Sequence, residues 1–218
     1  SLAADARVSS ISIADTSANI AANLDAIQSA AASLVSANRS VPISIQQIGV
    51  PSTLQLSATQ LAADTDALAG IVGSYSLNVS AVDAASLASV ASNTHVASMT
   101  VKDTAASIVS QLTTLAGLGN KLASVQQTNL DTNLELTQAQ WSTYGALLKK
   151  FQYGVHANIS GVSAAQAQEL LADNRVDHVA VSDTAQQITA TFNTLQALGP
   201  NLTAIALTDA QPHPIALS

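Results

Sequence analysis

The sequence contains no cysteine, which excludes disulfide bonds, thiolate metal ligands and cysteine nucleophiles. Charge is also scarce, because charged residues make up 10% of the chain and about 25% of an ordinary soluble domain. The net charge is −7, and of the seven lysines and arginines only Lys149 and Lys150 are adjacent. A phosphate backbone is bound by clustered cations. The sequence therefore argues against nucleic acid and anionic membranes as partners.

Aromatic residues are rare as well, at 3% of the chain, and no uninterrupted apolar run is long enough to span a membrane. The first residues lack the charged and then apolar pattern of a signal peptide, so we expect either a removed signal or a segment of a longer protein. What the chain does contain is 48% hydrophobic residues, mostly Ala, Leu, Ile and Val. Its 218 residues are enough to bury a core.

One pattern recurs along the whole chain. Three segments of alternating apolar residues each end in Asp-Thr: Ile11–Thr16, Met99–Thr104 and Val179–Thr184. The aspartates stand at 15, 103 and 183, so the spacing is 88 and then 80 residues. Leu54–Leu56 recurs as Leu134–Leu136, and Tyr75–Val82 as Val155–Val162, again 80 residues apart. A period of this length predicts one continuous repeat array: repeat one at 8–95, repeat two at 96–175 and a partial repeat three at 176–218.

Within a repeat of about 80 residues, the hydrophobic period alternates between that of a strand and that of a helix. The predicted order is β-α-β-β-α-β-α, an α/β fold with parallel strand pairing. Two architectures fit this order. One is an α/β solenoid whose repeats contact only their neighbours, and the other is a row of split βαβ sandwiches. The alanine-rich helices would build a thin core that stacking supports, which favours the solenoid.

The recurring Asp-Thr pairs are predicted to cap helices, since a side-chain oxygen there can accept the first backbone N–H groups. The residues concerned are Asp15, Thr16, Asp103, Thr104, Asp183 and Thr184. Apolar residues follow at helical spacing and are expected to be buried at equivalent places: Ile20, Leu24, Ile108, Leu112, Ile188 and Phe192. A calcium ladder is the rival interpretation. One aspartate per repeat without a glycine-rich nonapeptide favours capping.

Catalytic and metal-binding patterns are lacking. His95, His156, His178 and His213 do not have metal-ligand spacing, and we interpret them as solvated surface residues. No phosphate-binding loop or nucleophile elbow is present. The sequence therefore predicts a protein that is not an enzyme and has no cofactor and no metal site.

Two further groups of polar residues have structural interpretations. The acidic pairs Asp64 with Asp66 and Asp173 with Asp177 are interpreted as parts of a solvated face. Asn78 and Asn158 stand at the same phase of the repeat, two residues before a serine. They fit an internal ladder or a turn, and their Asn-x-Ser pattern also fits glycosylation.

The one aromatic cluster comprises Trp141, Tyr144 and Phe151. Trp141 and Phe151 take core positions that Leu61 and Ile71 fill in the first repeat, so filling the core is the favoured interpretation. Tyr144 takes an exposed phase. Trp141 and Tyr144 are therefore the candidate binding surface, with a sugar platform as the functional alternative.

The last copy carries a resemblance to a known class. Asp183–Ala185 is followed by Ile188, Phe192 and Leu195 and then by Leu202–Asp209. This pattern resembles the α/β repeat segments of large exported bacterial surface proteins of the adhesin-like, calcium-repeat-associated kind. The resemblance implies a secreted or cell-surface protein and a structural or adhesive role without catalysis. The glycine-rich calcium repeats that often accompany such segments are absent.

The expected partners follow from the repeat. They are neighbouring repeats or other copies of the chain, which associate through the repeat ends. The alternative function is a binding module for a surface carbohydrate or a protein. Thr203–Leu207 and Pro214–Ser218 are predicted either to pair as a last hairpin or to leave an end that contacts another molecule.

Overall fold

The chain folds as an α/β protein with parallel sheets, in a computed structural model that describes residue 5 and residues 7–50 and 52–209. The elements are β1 Ile11–Asp15, α1 Ser17–Ala22, α2 Leu24–Ser36, β2 Ile43–Gln47, β3 Leu54–Ser57, α3 Ala58–Ala63, α4 Thr65–Ala69, β4 Leu77–Val82, α5 Leu87–Ser92, β5 Val96–Asp103, α6 Ala105–Ser110, α7 Leu112–Gly117, β6 Leu122–Gln127, β7 Leu134–Thr137, α8 Gln138–Thr143, α9 Gly145–Leu148, β8 Ala157–Val162, α10 Ala167–Leu171, β9 Val176–Asp183, α11 Ala185–Ala190, α12 Phe192–Ala197 and β10 Leu202–Leu207. Single 3₁₀ turns at Gly119–Lys121 and Gly199–Asn201 precede β6 and β10.

The chain divides into two compact units. The first runs to Lys102 and includes Leu118–Ser124, and the second comprises Asp103–Gly117 and the chain from Val125 onwards. The first unit holds a parallel sheet of β1 and β2 and a sheet with the order β3-β4-β5-β6, of which it contains the start of β6. The second unit holds a parallel sheet with the order β7-β8-β9-β10. The predicted parallel pairing is confirmed.

One face of each sheet forms the core because apolar residues alternate along the strands. In the first unit Leu54 lies opposite Leu77 and is fully buried. In the second unit Leu134 lies opposite Ala157 and is equally buried. Helices cover these faces: α1 packs on β3, and α6 packs on β7.

Two strands of the predicted strand-turn-strand segment exist, but they do not pair. β2 joins β1, whereas β3 starts the next sheet beside β4. The second helix of the predicted order is also divided in two, into α3 and α4 in the first unit and α8 and α9 in the second. Ile71 and Phe151 lie outside the helices, where each forms a single parallel bridge, to Ile45 and to Val125 respectively.

Each helix predicted after Asp-Thr is two helices with a break of one residue, at Asn23, Gln111 and Thr191. Five of the six residues expected in the core on these helices are buried. The expectation for Phe192 is wrong, because it is only half-buried. In the first unit α2 packs on α4, which follows β3 and α3 in the chain.

A bulge recurs in β4 and β8. Ala81 has φ 56° and Gly161 has φ 69°, both in the left-handed region. The register shifts at the same places, between Val79 and Val82 and between Ser160 and Val162. The extra residue needs a positive φ, which glycine adopts without strain and alanine does not.

Several predictions concern residues that are not described. His213, the hairpin strand Pro214–Ser218 and the rest of repeat three after Asp209 lie outside the described residues. None of the described helices is long and apolar enough to cross a membrane.

Candidate functional site

Threonine is the residue that caps the helix after each Asp-Thr pair. In each pair the threonine Oγ1 accepts the backbone N–H of the residue three positions later in the chain. The distances are 3.3 Å for Thr16, 3.3 Å for Thr104 and 3.2 Å for Thr184. The aspartate is the last residue of the strand, and its Oδ1 accepts the N–H of the threonine at 2.7 to 2.8 Å. The prediction that both residues of the pair are caps is therefore corrected for the aspartate, which fixes the threonine.

A second capping group was not predicted. Asn129 Oδ1 accepts the N–H of Ala105 at 2.8 Å, and Asp209 Oδ2 accepts the N–H of Ala185 at 2.6 Å. Both acceptors follow the strand next to the capped helix, so each ties the start of a helix to the end of a neighbouring strand. Asn129 and Asp209 are 80 positions apart, the same spacing as the last two Asp-Thr pairs, and this recurrence in the sequence is the signal that could have found them.

The acidic residues of the pairs do not gather into a cation site. Asp183 uses one oxygen for Thr184 N–H and the other for Ala164 N–H. Donors thus occupy the oxygens that a calcium ion would need. Among residues 5, 7–50 and 52–209, no three His, Asp or Glu side chains are close enough to hold a metal ion.

Trp141 lies in a small recess of the second unit. The recess has a volume of about 390 Å³ and is lined by Trp141 with Gln138, Gln166 and Asp173. The guanidinium carbon of Arg175 lies 4.9 Å from the centre of the Trp141 ring, a cation–π distance. The indole is 9% exposed. The Trp141 ring in this recess is therefore already in contact with the guanidinium group of Arg175.

Arg175 is held in place by Asp173. Arg175 Nε and Nη2 donate to the two carboxylate oxygens of Asp173, at 2.9 and 2.6 Å. These hydrogen bonds hold the pKa of Asp173 below its usual value, although partial burial opposes the shift. Asp173 was expected on a solvated face. Its pairing with Arg175 makes it part of the wall of the Trp141 recess.

Tyr144 does not provide an open aromatic surface either. It is half-buried, and its hydroxyl lies 2.8 Å from Thr113 Oγ1. The expected exposed phase is therefore wrong, because Tyr144 occupies the break between α8 and α9, against α7. Trp141 and Tyr144 each have a partner within the chain.

A row of polar side chains crosses the outer face of β7, β8 and β9. Asn158 Nδ2 donates to Glu135 Oε1 at 2.6 Å, and Asn158 Oδ1 lies 3.1 Å from His178 Nδ1. Asn78, the equivalent residue of the first unit, accepts from Ser98 Oγ at 2.6 Å. Both asparagines thus form cross-strand hydrogen bonds, as the ladder interpretation predicted.

Two of the three described histidines are not solvated surface residues. His178 is half-buried in the ladder, and half-buried His95 stacks on the ring of Tyr75, with centroids 3.9 Å apart. His156 is exposed and lies 3.2 Å from Asp177. Their hydrogen-bond partners among the described residues are the backbone oxygen of Tyr75 for His95, Asp177 for His156 and Asn158 for His178.

Asp64 is the residue whose surroundings differ most from expectation. Predicted on a solvated face, it is 3% exposed, and its Oδ2 has no hydrogen-bond partner among the described residues. Burial, and then the neighbouring carboxyl of Asp25, raise its pKa from 3.8 to about 6. It occupies the break between α3 and α4, as Tyr144 does between α8 and α9. Asp66, its sequence partner, is exposed and accepts from Gln28 Nε2.

A second recess lies in the first unit. It has a volume of about 730 Å³ and is lined by the end of α2, by Arg39 and by the start of β2. Arg39 Nη2 donates to the backbone oxygen of Val8 at 2.6 Å. The lining includes Asn38 and Arg39. These residues lie between the first two Asp-Thr pairs, whose spacing of 88 residues exceeds the later spacing of 80.

No protein-family model, curated protein or solved structure matches this chain. The function must therefore be inferred from which features recur and which do not.

Proposed function

We propose that this chain is a structural or adhesive repeat segment of an exported bacterial surface protein, built as an α/β solenoid and without catalysis. The observation that carries the proposal is that the recurring side chains have structural roles, whereas the side chains that line the recesses differ between repeats.

The core residues recur with the same burial. Leu54 and Leu134 are both 0% exposed, and Val79 and Ile159 are both 1% exposed. The capping threonines recur as well, in all three copies. These residues build and terminate strands and helices, which is what a scaffold needs.

The Trp141 recess has no counterpart in the first repeat. The residues at the positions of Trp141 and Arg175 there are Leu61 and His95, and Asn93 takes the position of Asp173. A site that served every repeat would need the same groups in each copy. The carbohydrate-binding alternative receives little support from Trp141 because Arg175 covers its ring.

Strand pairing favours the solenoid over split sandwiches. A split βαβ sandwich contains antiparallel neighbours, whereas the pairs β3-β4, β4-β5, β7-β8, β8-β9 and β9-β10 are all parallel. The bridges of Ile45 with Ile71 and of Val125 with Phe151 recur one repeat apart. Nearest-neighbour contact of this kind is the basis of solenoid stability.

Deleting one repeat tests the architecture. Removing residues 96–175 joins positions that are equivalent in the repeat, so we expect a shorter chain that still folds and unfolds cooperatively. Removing residues 136–175 also deletes whole elements but joins positions of different phase, and should leave strands without partners. If both deletions unfold alike by circular dichroism, the repeat architecture is wrong.

Location tests the remainder of the proposal. In cells that carry the gene, an antibody against this chain should label the surface of intact cells or the culture medium. Labelling that requires lysis of the cells would contradict the exported role.

A further inference from the structure

The outer edge of β10 has no pairing strand among the described residues, whereas the equivalent edges of β2 and β6 each form a backbone bridge. Ile205 corresponds to Ile45 and Val125 in the repeat. Ile45 and Val125 are each 0% exposed, whereas Ile205 is 43% exposed. Leu207, at the end of β10, is 42% exposed. None of the described residues pairs with this edge.

The equivalent edges are closed by short backbone bridges. Val125 N–H donates to Lys150 O at 2.9 Å, and Gln152 N–H donates to Val125 O at 2.9 Å. Ile45 makes the same two bonds with Gly70 and Val72 at 2.8 Å. The position thus presents one N–H and one C=O to whatever strand lies beyond it.

The direction of the groups at β10 follows from one hydrogen bond. Thr208 N–H donates to Asp183 O at 3.0 Å, so Thr208 faces β9. Backbone groups alternate along a strand. Ala206 and Ala204 therefore face β9 as well, and the N–H and C=O of Ile205 point outward.

β1 has the complementary edge. Ile11 N–H donates to Pro42 O at 3.0 Å, and Asp15 O accepts from Ile48 N–H at 2.9 Å, so these two residues and Ile13 face β2. The groups of Ser12 and Ala14 point away from β2. In β5 and β9 this side is covered by β4 and β8. In β1 the described residues supply no such strand.

The two edges fit each other. In parallel pairing, a residue facing the partner bonds to the residues on either side of the one opposite it. With Ile205 opposite Ile13, Ile205 N–H meets Ser12 O, and Ala14 N–H meets Ile205 O. Ile205 lies opposite Val181, which is 1% exposed, and Ile13 lies opposite buried Ile45. The apolar faces of the two sheets therefore lie on the same side.

Most of each edge lacks the residues that block pairing, although Asp15 ends β1 and the register of β10 shifts between Leu202 and Ala204. Leu202–Leu207 and Ile11–Ala14 contain no charged residue and no proline. Exposed edges are usually protected by lysine, proline or a bulge, because unpaired strands recruit other chains. An apolar edge without lysine or proline favours a strand as its occupant.

We propose that β10 of one molecule pairs in parallel with β1 of a second copy of this chain. The inference rests on the proposed structural role and names the partner of its ends. The two surfaces differ, so the contact is heterologous and leaves one edge open at each end of the pair. Copies can therefore add in a row.

Two proline variants test the contact on the full chain. Ile205→Pro and Ser12→Pro each remove one outward N–H and leave the ladders to β9 and β2 intact. Leu130→Pro is the control, since Leu130 is 59% exposed and follows Asn129 in a turn closed by Thr132 N–H to Asn129 O. Proline is favoured at that position of a turn.

Sedimentation velocity measures the mass across a range of concentrations. The unaltered chain and Leu130→Pro should rise to at least about twice the mass of one chain, as an open row requires. Each edge variant should stay at the mass of one chain. An equimolar mixture of Ile205→Pro and Ser12→Pro should form pairs and nothing longer, because one open β1 edge meets one open β10 edge.

Two lysine variants block the edges without proline, so they show whether a loss of association comes from the edge or from unfolding. Ala14→Lys places a lysine where β5 has Lys102, so the repeat tolerates it. Leu207→Lys charges the other edge at a position that is 42% exposed. Each should also remain at the mass of one chain, with an unchanged circular dichroism spectrum.

Three results would overturn the proposal. The unaltered chain could keep the mass of one chain at all concentrations. The edge variants could associate as strongly as the control. Ser12→Pro alone could form pairs, which would indicate symmetric β10 contacts. If the 96–175 deletion folds in any of these cases, only the contact is wrong and the repeat architecture stands.

Discussion

Replacing Asp64 with asparagine keeps the size of the side chain but removes a carboxyl group that the fold buries between α3 and α4. In the native chain, burial and the nearby Asp25 carboxyl raise the pKa of Asp64 to about 6. A buried carboxyl is more stable neutral than charged. The folded chain therefore keeps a proton on Asp64 at pH values where the unfolded chain has lost it.

The direction of the pH effect follows from this difference. Between an ordinary pKa of 3.8 and the native value of about 6, the folded state binds more protons than the unfolded state. The free energy of unfolding therefore falls as pH rises through this window, and the loss is complete above it. A rise of the Asp64 pKa from 3.8 to about 6 corresponds to about 3 kcal/mol. Asp25 is exposed and water screens its charge, so we expect about 1–2 kcal/mol.

Urea unfolding followed by circular dichroism measures the difference. Asp64→Asn should be more stable than the unaltered chain by about 1–2 kcal/mol at pH about 8, and the two should converge near pH about 4. Asp66→Asn is the matched control, because it removes the same charge from an exposed position two residues away. An advantage of Asp64→Asn that is equal at both pH values would refute the reasoning.

Three other predictions concern local structure. Thr104→Ala should lower the free energy of unfolding by about 1 kcal/mol because the helix loses its cap, and Thr104→Ser should leave the free energy unchanged. Equal urea midpoints for Thr104→Ala and the unaltered chain would argue against the cap. Ala81→Gly should raise stability by about 0.5 kcal/mol because φ is 56° there, while Gly161→Ala should lower it in the same thermal melts. Arg175→Gln should cost about 0.5 kcal/mol at neutral pH. Because Arg175 lowers the pKa of Asp173, this cost should fade as pH drops below the ordinary aspartate value, and Trp141 fluorescence should report the change.

Local patterns predicted the elements of this chain well. Alternation at Ile11 and Ile13 predicted a strand, and the polar pair after it predicted a helix start, where Thr16 caps α1. Such features depend on residues a few positions apart, so the sequence contains all that they need. The same spacing did not reveal the helix break at Asn23, because Leu24 and Ile27 stay on the buried face across it.

The candidate site was less predictable. Trp141 was predicted in the core because Leu61, 80 positions earlier, has the same place in the pattern. Its burial agrees with that prediction. Its cover, Arg175, lies 34 positions later, and no local pattern connects the two. The position of Tyr144 against Thr113 depends in the same way on how helices from different parts of the chain pack.

The sequence by itself determined the order of strands and helices and the helix starts at the capping threonines, because each depends on residues a few positions apart. Only the tertiary structure decided that β2 and β3 join different sheets, that Asp64 is buried and that Phe192 is half-buried. Pairing and burial depend on which distant segments meet. The sequence shows that Asp64 has an ionisable carboxyl group. How much free energy its ionisation costs depends on its burial from water and on the Asp25 carboxyl, which the fold places beside it.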